Sequence, residues 1–486
     1  MKRISVIGAG FSGLSAACYL AQAGYSVEVF EKNAQIGGRA RQLKRDGFTF
    51  DMGPTFYWMP DVFEKFFSDF NKKPSDYYEL IRLDPGYRLY TERNDYIDIR
   101  AELDKICRDF EKEEPGSSSF LRRFLQEAEF NYRTAMEKVI YKPGRSVFEL
   151  ITPETLSRLG QFTISISKRI RGHIRSERLR HILEFPVIFL GAKPGRTPAF
   201  YSLMNYADMI LGTWHIKGGI HEVVRGLQQL SEEMGVTVHT GAPVTGIKTK
   251  ENKIEGITVN ETFIPADFVV SSADYHHTES LLDRAYRNYT GRYWRTRTFA
   301  PSALLFYVGF NKKLKNIAHH TLFFDTDFES HASKIYDSPG WPDKPLFYAN
   351  FPSITDRSLA PEGKEAAIFL IPLAPGLRDE PALREKYFQQ IIERIEYLTD
   401  QQLKKDIIFF ETYGITDFIR DYNAYKGNAY GLANTLRQTG FLRPAMENKK
   451  IINLLYTGQL TLPGPGVPPA LISGKIAAGL INSKLN

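Results

Sequence analysis

Apolar positions change their spacing several times along this chain, and the changes mark out its elements. An apolar run from Ile4 to Ile7 stops at a glycine cluster, an apolar segment follows to Gly24, and Val27, Val29 and Phe30 come next. That pattern predicts strand, turn, helix and strand. Asp46-Gly47, between two short half-apolar runs, predicts a hairpin. "GGIHEVVRGLQQLSEEMGVTVH" predicts a helix to about Leu230 and a strand near Val236 to His239, and "FIPADFVVSSAD" predicts a strand ending at Asp274. Three later runs, "SALLFYVGF", "AAIFLIPLA" and "DIIFFETYG", predict strands of a further sheet, with a helix over 379–398. The stretch from 81 to 213 is predicted to be helical. Near the end, "TGQLTLPGPGVPPALISGK" (457–475) runs into an apolar, small-residue segment. Pro468 and Pro469 suit the first turn of a helix, and Gly464 and Gly466 permit backbone angles that other residues resist. A helix starting there carries unpaired N–H groups and a partial positive charge.

Composition narrows the setting. At 486 residues the chain exceeds one typical core, so two domains are expected. No stretch of 18 apolar residues occurs, and the longest runs, "FPVIFLGA" from 185 and "PSALLFYVGF" from 301, have the length of core strands rather than membrane spans. Glycines interrupt the apolar run after Met1-Lys2-Arg3 and no cleavage site follows, so a signal peptide is not expected and the protein is placed in the cytoplasm. Cys18 and Cys107 are the only cysteines, and no Cys/His cluster has metal-ligand spacing; reduced thiols and no metal are expected. The net charge of +7 is concentrated in residues 138–181, which hold ten Lys or Arg against Glu149, Glu154 and Glu177. Basic residues beside apolar sequence suggest peripheral docking on the inner face of an anionic membrane, at about 1 kcal/mol per basic residue. No nucleic-acid-binding module accompanies the patch, so nucleic acid is not an expected partner.

The glycines at the N-terminus carry chemistry. Gly8, Gly10 and Gly13 have G-x-G-x-x-G spacing between a strand and a helix. In that setting Gly8 makes the tight turn, Gly10 lets the backbone approach a pyrophosphate, and Gly13 lets the helix pack on the strand; the helix N-terminus at Phe11 and Ser12 faces the phosphates. Glu31, followed by Lys32, ends the second strand where a carboxylate accepts hydrogen bonds from a ribose hydroxyl pair and repels a 2′-phosphate. A second glycine pair, Gly37-Gly38, is followed by Arg39, and the hairpin by Gly53-Pro54-Thr55. Arg39 can meet the pyrophosphate charge of a ligand longer than one dinucleotide half.

With these residues in place, the chain resembles the amine oxidase and carotenoid desaturase superfamily, whose N-terminal FAD signature combines GxGxxG, a glutamate at the strand end and GGR soon after. The segment 214–247, with Gly218-Gly219, resembles that family's return to the FAD domain, in which the Val244 backbone meets the adenine; Asp274 ends the next strand. "YTGQLTLPGPGVPPALISGKIAAGLI" most resembles the C-terminal FAD motif of bacterial phytoene desaturase-type carotenoid desaturases. That resemblance implies that Gly458 and Gln459 lie beside the ribityl and phosphate, and that Gly466, Val467 and Pro468 set a helix N-terminus at the flavin ring.

The resemblance implies an α/β fold: a discontinuous, Rossmann-like FAD-binding domain (1–80, 214–290 and 425–486), an α+β substrate domain with its sheet in 291–424, and a helical, membrane-associating part in 81–213. It implies an FAD-dependent desaturase of a long acyclic isoprenoid, in which the flavin N5 takes a hydride from one carbon and a proton leaves its neighbour. The substrate is a hydrophobic carotenoid, either phytoene or, by preference, a hydroxylated carotenoid desaturated at its 3,4 position. The electron acceptor is a quinone or oxygen, since no second GxGxxG serves NAD(P)H. Amine and protoporphyrinogen oxidases share the superfamily; with no cysteine beyond 107 the flavin is expected to be non-covalent. Rab GDP dissociation inhibitors share the fold without FAD, and the intact glycines, Glu31 and Arg39 argue against that class. Phe56, Tyr57 and Trp58, just past the expected flavin contact, are substrate candidates. No general base is assigned: Asp51 reads as a turn residue, Asp274 and Arg39 as cofactor positions, and His276-His277 as a loop pair.

Overall fold

The computed structural model describes residues 1–146, 149, 153–188, 191–435 and 437–485. The predicted strand, turn, helix and strand are β1 (Arg3–Ile7), α1 (Phe11–Gln22) and β2 (Ser26–Phe30). β1 and β2 pair in parallel and sit within a five-stranded sheet, flanked by Phe268–Ser271 and Leu454–Tyr456 on one side and Thr237–His239 on the other. All four pairings are parallel, so helices must cover the faces. α1, the helix His221–Glu233 and the C-terminal helix Val467–Leu485 do so, burying Leu14, Leu20, Val223, Leu227 and Ile476 in one core.

The second sheet has seven strands, in the order 407–413, 302–310, 365–373, 347–350, 320–323, 87–92 and 95–99. Its neighbours are antiparallel except for 320–323 beside 87–92. The three expected strands are present, and the helix between them is Pro381–Thr399. The hairpin Gln42–Arg45/Phe48–Asp51 turns at Asp46-Gly47 and packs Phe48 and Phe50 against Tyr307 and Phe409, tying the N-terminal segment to this sheet.

Residues 81–213 are not uniformly helical. Tyr87–Glu92 and Asp95–Ile99 form a hairpin that extends the seven-stranded sheet, and helices take over only from Leu103. Its signal was Asn94, at φ +53°, in a polar turn between two short aromatic runs. The apolar run from Phe185 is also not a strand: Phe185–Ile188 close the helix Glu177–Ile188, while Phe189 and Leu190 lie outside the described residues. Leu179, Ile182, Leu183, Phe185 and Val187 are buried there, the spacing of a largely covered helix.

The basic stretch looks different in three dimensions. Arg145 pairs with Glu447, Arg169 with Glu127, Arg171 with Glu184, Arg178 with Asp95 and Glu113, and Arg180 with Glu177. Most of these carboxylates come from outside 138–181, so the local excess of charge is largely neutralised by the fold. Among the described residues the side chains of Lys138, Lys142 and Lys168 form no ion pair, and Arg175 meets the Glu114 carboxylate only through its backbone N–H, at 2.9 Å. No helix of the described residues is long and apolar enough to cross a membrane.

Candidate functional site

A cavity of about 550 Å³ opens where the C-terminal ends of the parallel strands meet Ala303, Leu305 and Leu370 of the antiparallel sheet. This is the edge of a parallel sheet at which α/β folds bind their ligands. Gly8, Gly10, Phe11 and Ser12 line it at the start of α1, a helix with no acidic residue in its first turn. Gly13 does not line it; a Cβ there would lie 2.0 Å from the Gly8 carbonyl oxygen, so this glycine sets the distance between α1 and β1.

Glu31 is buried at the end of β2. Its Oε2 accepts from the Ala9 N–H at 2.9 Å, and its Oε1 from the Asn33 N–H and Nδ2, both at 2.9 Å. Oε2 retains acceptor capacity for a hydroxyl. Lys32 also lines the cavity and donates from Nζ to the Arg420 carbonyl at 2.7 Å.

Arg39 is half-buried against the cavity, and burial pushes its pKa down. Its Nη2 donates to the Asn428 carbonyl at 3.0 Å, its guanidinium lies 5.0 Å from the Tyr422 ring centre, and its Nε has no partner. With the Gln459 amide oriented so that its oxygen meets the guanidinium donor, that oxygen accepts from Nη2 at 3.0 Å. A half-buried cation that forms no ion pair with a carboxylate among the described residues, beside a helix N-terminus and main-chain glycines, fits a bound diphosphate. Gly38, Gly53, Pro54, Val244, Asp274 and Gly458 line the same cavity. So do Gly466 and Val467, while Pro468 does not. Gly466 has φ +119° and accepts from the Ala470 N–H at 3.0 Å as the C-terminal helix begins, again with no acid in its first turn.

The remaining expectations sort by contact. Asp274 caps the helix Tyr275–Ser280 through the His277 N–H at 3.2 Å and also accepts from the Tyr425 N–H at 3.2 Å. Asp51 accepts from the Ile220 and His221 N–H groups at 2.8 and 3.3 Å, capping the next helix, and burial pushes its pKa up to about 7. His277 lines the cavity, whereas His276 packs on Tyr425 and Trp294. Tyr57 and Trp58 are core, with the Tyr57 ring stacked on Phe63 and Trp58 Nε1 donating to Thr213 Oγ1 at 2.7 Å. Of that aromatic trio only Phe56 is partly exposed.

Thr55 is not among the cavity-lining residues; its Oγ1 lies 2.8 Å from the Tyr348 hydroxyl. That contact leads to a group that sequence reasoning missed. His320 Nδ1 lies 2.6 Å from the Tyr348 hydroxyl, and its ring stacks on Phe56 at 3.9 Å. His319 and His215 follow in ring contact, and His215 Nε2 lies 3.7 Å from Asp356. Burial pushes the pKa of His319 and His320 well down, so both are neutral. Their only local signal was a pair of consecutive histidines in an apolar stretch.

The pattern of the family described as flavin containing amine oxidoreductase matches residues 11–482. The chain is 41% identical over 479 residues to a carotenoid 3,4-desaturase of Haloarcula japonica, covering 98% of this chain and 97% of that one. It is 33% identical to a zeta-carotene-forming phytoene desaturase of Myxococcus xanthus, covering 98% and 93%. Among solved structures it superposes on an oxidoreductase from Methanosarcina mazei with a TM-score of 0.63 at 17% identity, covering all of both chains. Cyclohexylamine oxidase from Brevibacterium oxydans gives 0.60 at 15% identity, covering 100% and 99%. A glycine turn between strand and helix, a half-buried arginine lining the cavity and these end-to-end similarities agree: the chain belongs to the flavin containing amine oxidoreductase family, and FAD is its cofactor.

Proposed function

We propose that this protein is an FAD-dependent carotenoid desaturase that forms a C=C bond at the 3,4 position of an acyclic 1′-hydroxy carotenoid end. The observation that carries this reading is the 41% identity to the Haloarcula japonica carotenoid 3,4-desaturase across nearly the whole of both chains. In this reading the α1 N-terminus and Arg39 hold the diphosphate and Glu31 holds the adenosine ribose. The Val244 backbone meets the adenine, Gly458 and Gln459 the ribityl chain, and the helix start at Gly466 and Val467 the ring. The bound flavin supplies the hydride acceptor. The chain's own part is to hold a polyene end against the ring, exclude water and remove the proton that leaves the neighbouring carbon. The electrons pass on to a quinone or oxygen.

A water-insoluble substrate calls for delivery from a membrane, and this protein docks there peripherally in the same reading. Ile164, Phe441 and Leu442 are exposed. The Ile164 carbonyl accepts from the Ala199 N–H at 2.8 Å, and Tyr201 in turn reaches Thr439 at 2.8 Å. A Cβ on Gly144, two residues from Lys142, would lie 3.7 Å from the Phe441 Cα, and basic and exposed apolar residues brought together in this way suit a lipid interface.

Expression in cells accumulating phytoene or, separately, hydroxylated γ-carotene tests the substrate. A longer-wavelength pigment from the hydroxylated carotenoid, with phytoene unchanged, is expected. Coloured products from phytoene alone would assign the protein to phytoene desaturation instead.

A further inference from the structure

We propose that Tyr348 and His320 form the relay that accepts the proton lost from the carotenoid during desaturation. The inference rests on the desaturase reading and goes further by assigning the group that removes the proton. Tyr348 is partly exposed and pairs in the sheet with Leu370, which lines the cavity. Its hydroxyl lies between Thr55 Oγ1 at 2.8 Å and His320 Nδ1 at 2.6 Å. Thr55 directly follows Gly53 and Pro54 of the cavity wall, and the partly exposed Phe56 covers the His320 ring.

Direction follows from the hydrogen bonds. Asn350 Nδ2 donates to the His319 carbonyl at 3.1 Å, which fixes its amide nitrogen, and the same nitrogen lies 3.4 Å from His320 Nδ1. A ring nitrogen approached by an amide donor is the bare acceptor, so Tyr348 donates to Nδ1 and the His320 proton sits on Nε2. Nε2 is buried without a partner, as is Nε2 of His215 beyond it. His319 and His215 follow at ring-centre distances of 4.6 Å each, and the Asp356 carboxylate 3.7 Å from His215 Nε2 places a negative charge on the far side of the ring that takes up the proton.

The step balances. As the C–H electron pair at the carbon beside the hydride donor becomes the new π bond, its proton passes to the Tyr348 oxygen. The phenolic proton passes to His320 Nδ1, whose ring holds it as the imidazolium and gives it back through Tyr348 to solvent once the product has left. The cation-like carbon left by hydride loss makes its neighbour acidic, so a weak, neutral acceptor suffices. A chain of neutral groups also avoids a resting charge next to an apolar substrate.

The test uses the FAD-loaded full chain. Tyr348→Phe and His320→Gly are expected to keep FAD content and polyene binding while turnover falls about 100-fold, the usual scale for a proton-transfer group. Added imidazole should restore His320→Gly and leave Tyr348→Phe unchanged, which a packing defect would not do. Turnover above half of wild type in Tyr348→Phe, or no rescue of a folded His320→Gly, would overturn the relay. Should His320→Gly not fold, ¹⁵N-histidine NMR of the wild type decides: an Nε2–H tautomer at His320 supports the relay and an Nδ1–H tautomer refutes it. A wild type that desaturates no hydroxylated carotenoid is a distinct outcome, against the desaturase reading itself, and leaves the NMR result standing.

Discussion

The two walls of the cavity are built by different means. On the parallel-sheet side the contacts are mostly main chain: glycine turns after β1, N–H groups at two helix starts, and one carboxylate and one guanidinium fixed by neighbouring backbone. On the antiparallel side Ala303, Leu305 and Leu370 line the cavity, and outside that lining Thr55, His320 and Tyr348 are side chains brought together from segments up to 293 residues apart. A main-chain cradle tolerates few substitutions where a Cβ would meet backbone, as at Gly13 and Gly53, whereas side chains can be changed one function at a time.

The largest expected effect breaks the first wall. Gly13→Val places atoms against the Gly8 carbonyl oxygen, 2.0 Å from the built Cβ, and should yield protein that neither binds FAD nor melts cooperatively, checked by flavin absorbance and calorimetry. Gly466→Val is next. At φ +119° a β-branched residue is strained, so flavin should be lost from otherwise folded protein, while Pro468→Ala, outside the cavity, stays nearly normal. Flavin content and thermal melts of the pair separate the two.

That wall was legible because its signals are local: one strand, one turn and one helix within thirty residues, and a proline-marked helix start. The other wall was not. Tyr348 meets His320 only because the register pairs His320 with Asn350 and Leu322 with Tyr348, placing residues on one face that no spacing in the sequence connects. The pairing of the basic stretch was hidden for the same reason, since its counter-charges Asp95, Glu113, Glu127 and Glu447 come from other segments. Tyr57 and Trp58 were placed by their order after Pro54, but a partly exposed residue in an extended segment does not make its neighbours exposed, and both are core.

Smaller effects sharpen the contrast. Glu31→Ala removes the acceptor expected at the ribose and should weaken FAD by about 1.5 to 3 kcal/mol, one to two decades in affinity, read by flavin titration of the apoprotein. Asp51 tests the seam between the walls. Its pKa is raised when folded, to about 7, so the folded state binds this proton more tightly than the unfolded chain. The Asp51 contribution is therefore favourable below the unfolded value near 4 and is lost as pH rises through 7. Asp51→Asn should gain on wild type over that interval by about 2 °C or more in Tm. The smallest effect belongs to the surface. Lys138→Gln with Lys142→Gln should weaken binding to anionic vesicles by about 1 kcal/mol per charge. Arg178→Gln, already paired with Asp95 and Glu113, should change it little.

The most direct measurement mixes the purified FAD-loaded protein, without oxygen, with an acyclic 1′-hydroxy carotenoid and follows both chromophores. Loss of the flavin's oxidised band together with a shift of the polyene absorption to longer wavelength, one flavin reduced per double bond formed, is the predicted result. A flavin that stays oxidised in the presence of that polyene, yet bleaches with an amine, would contradict the account.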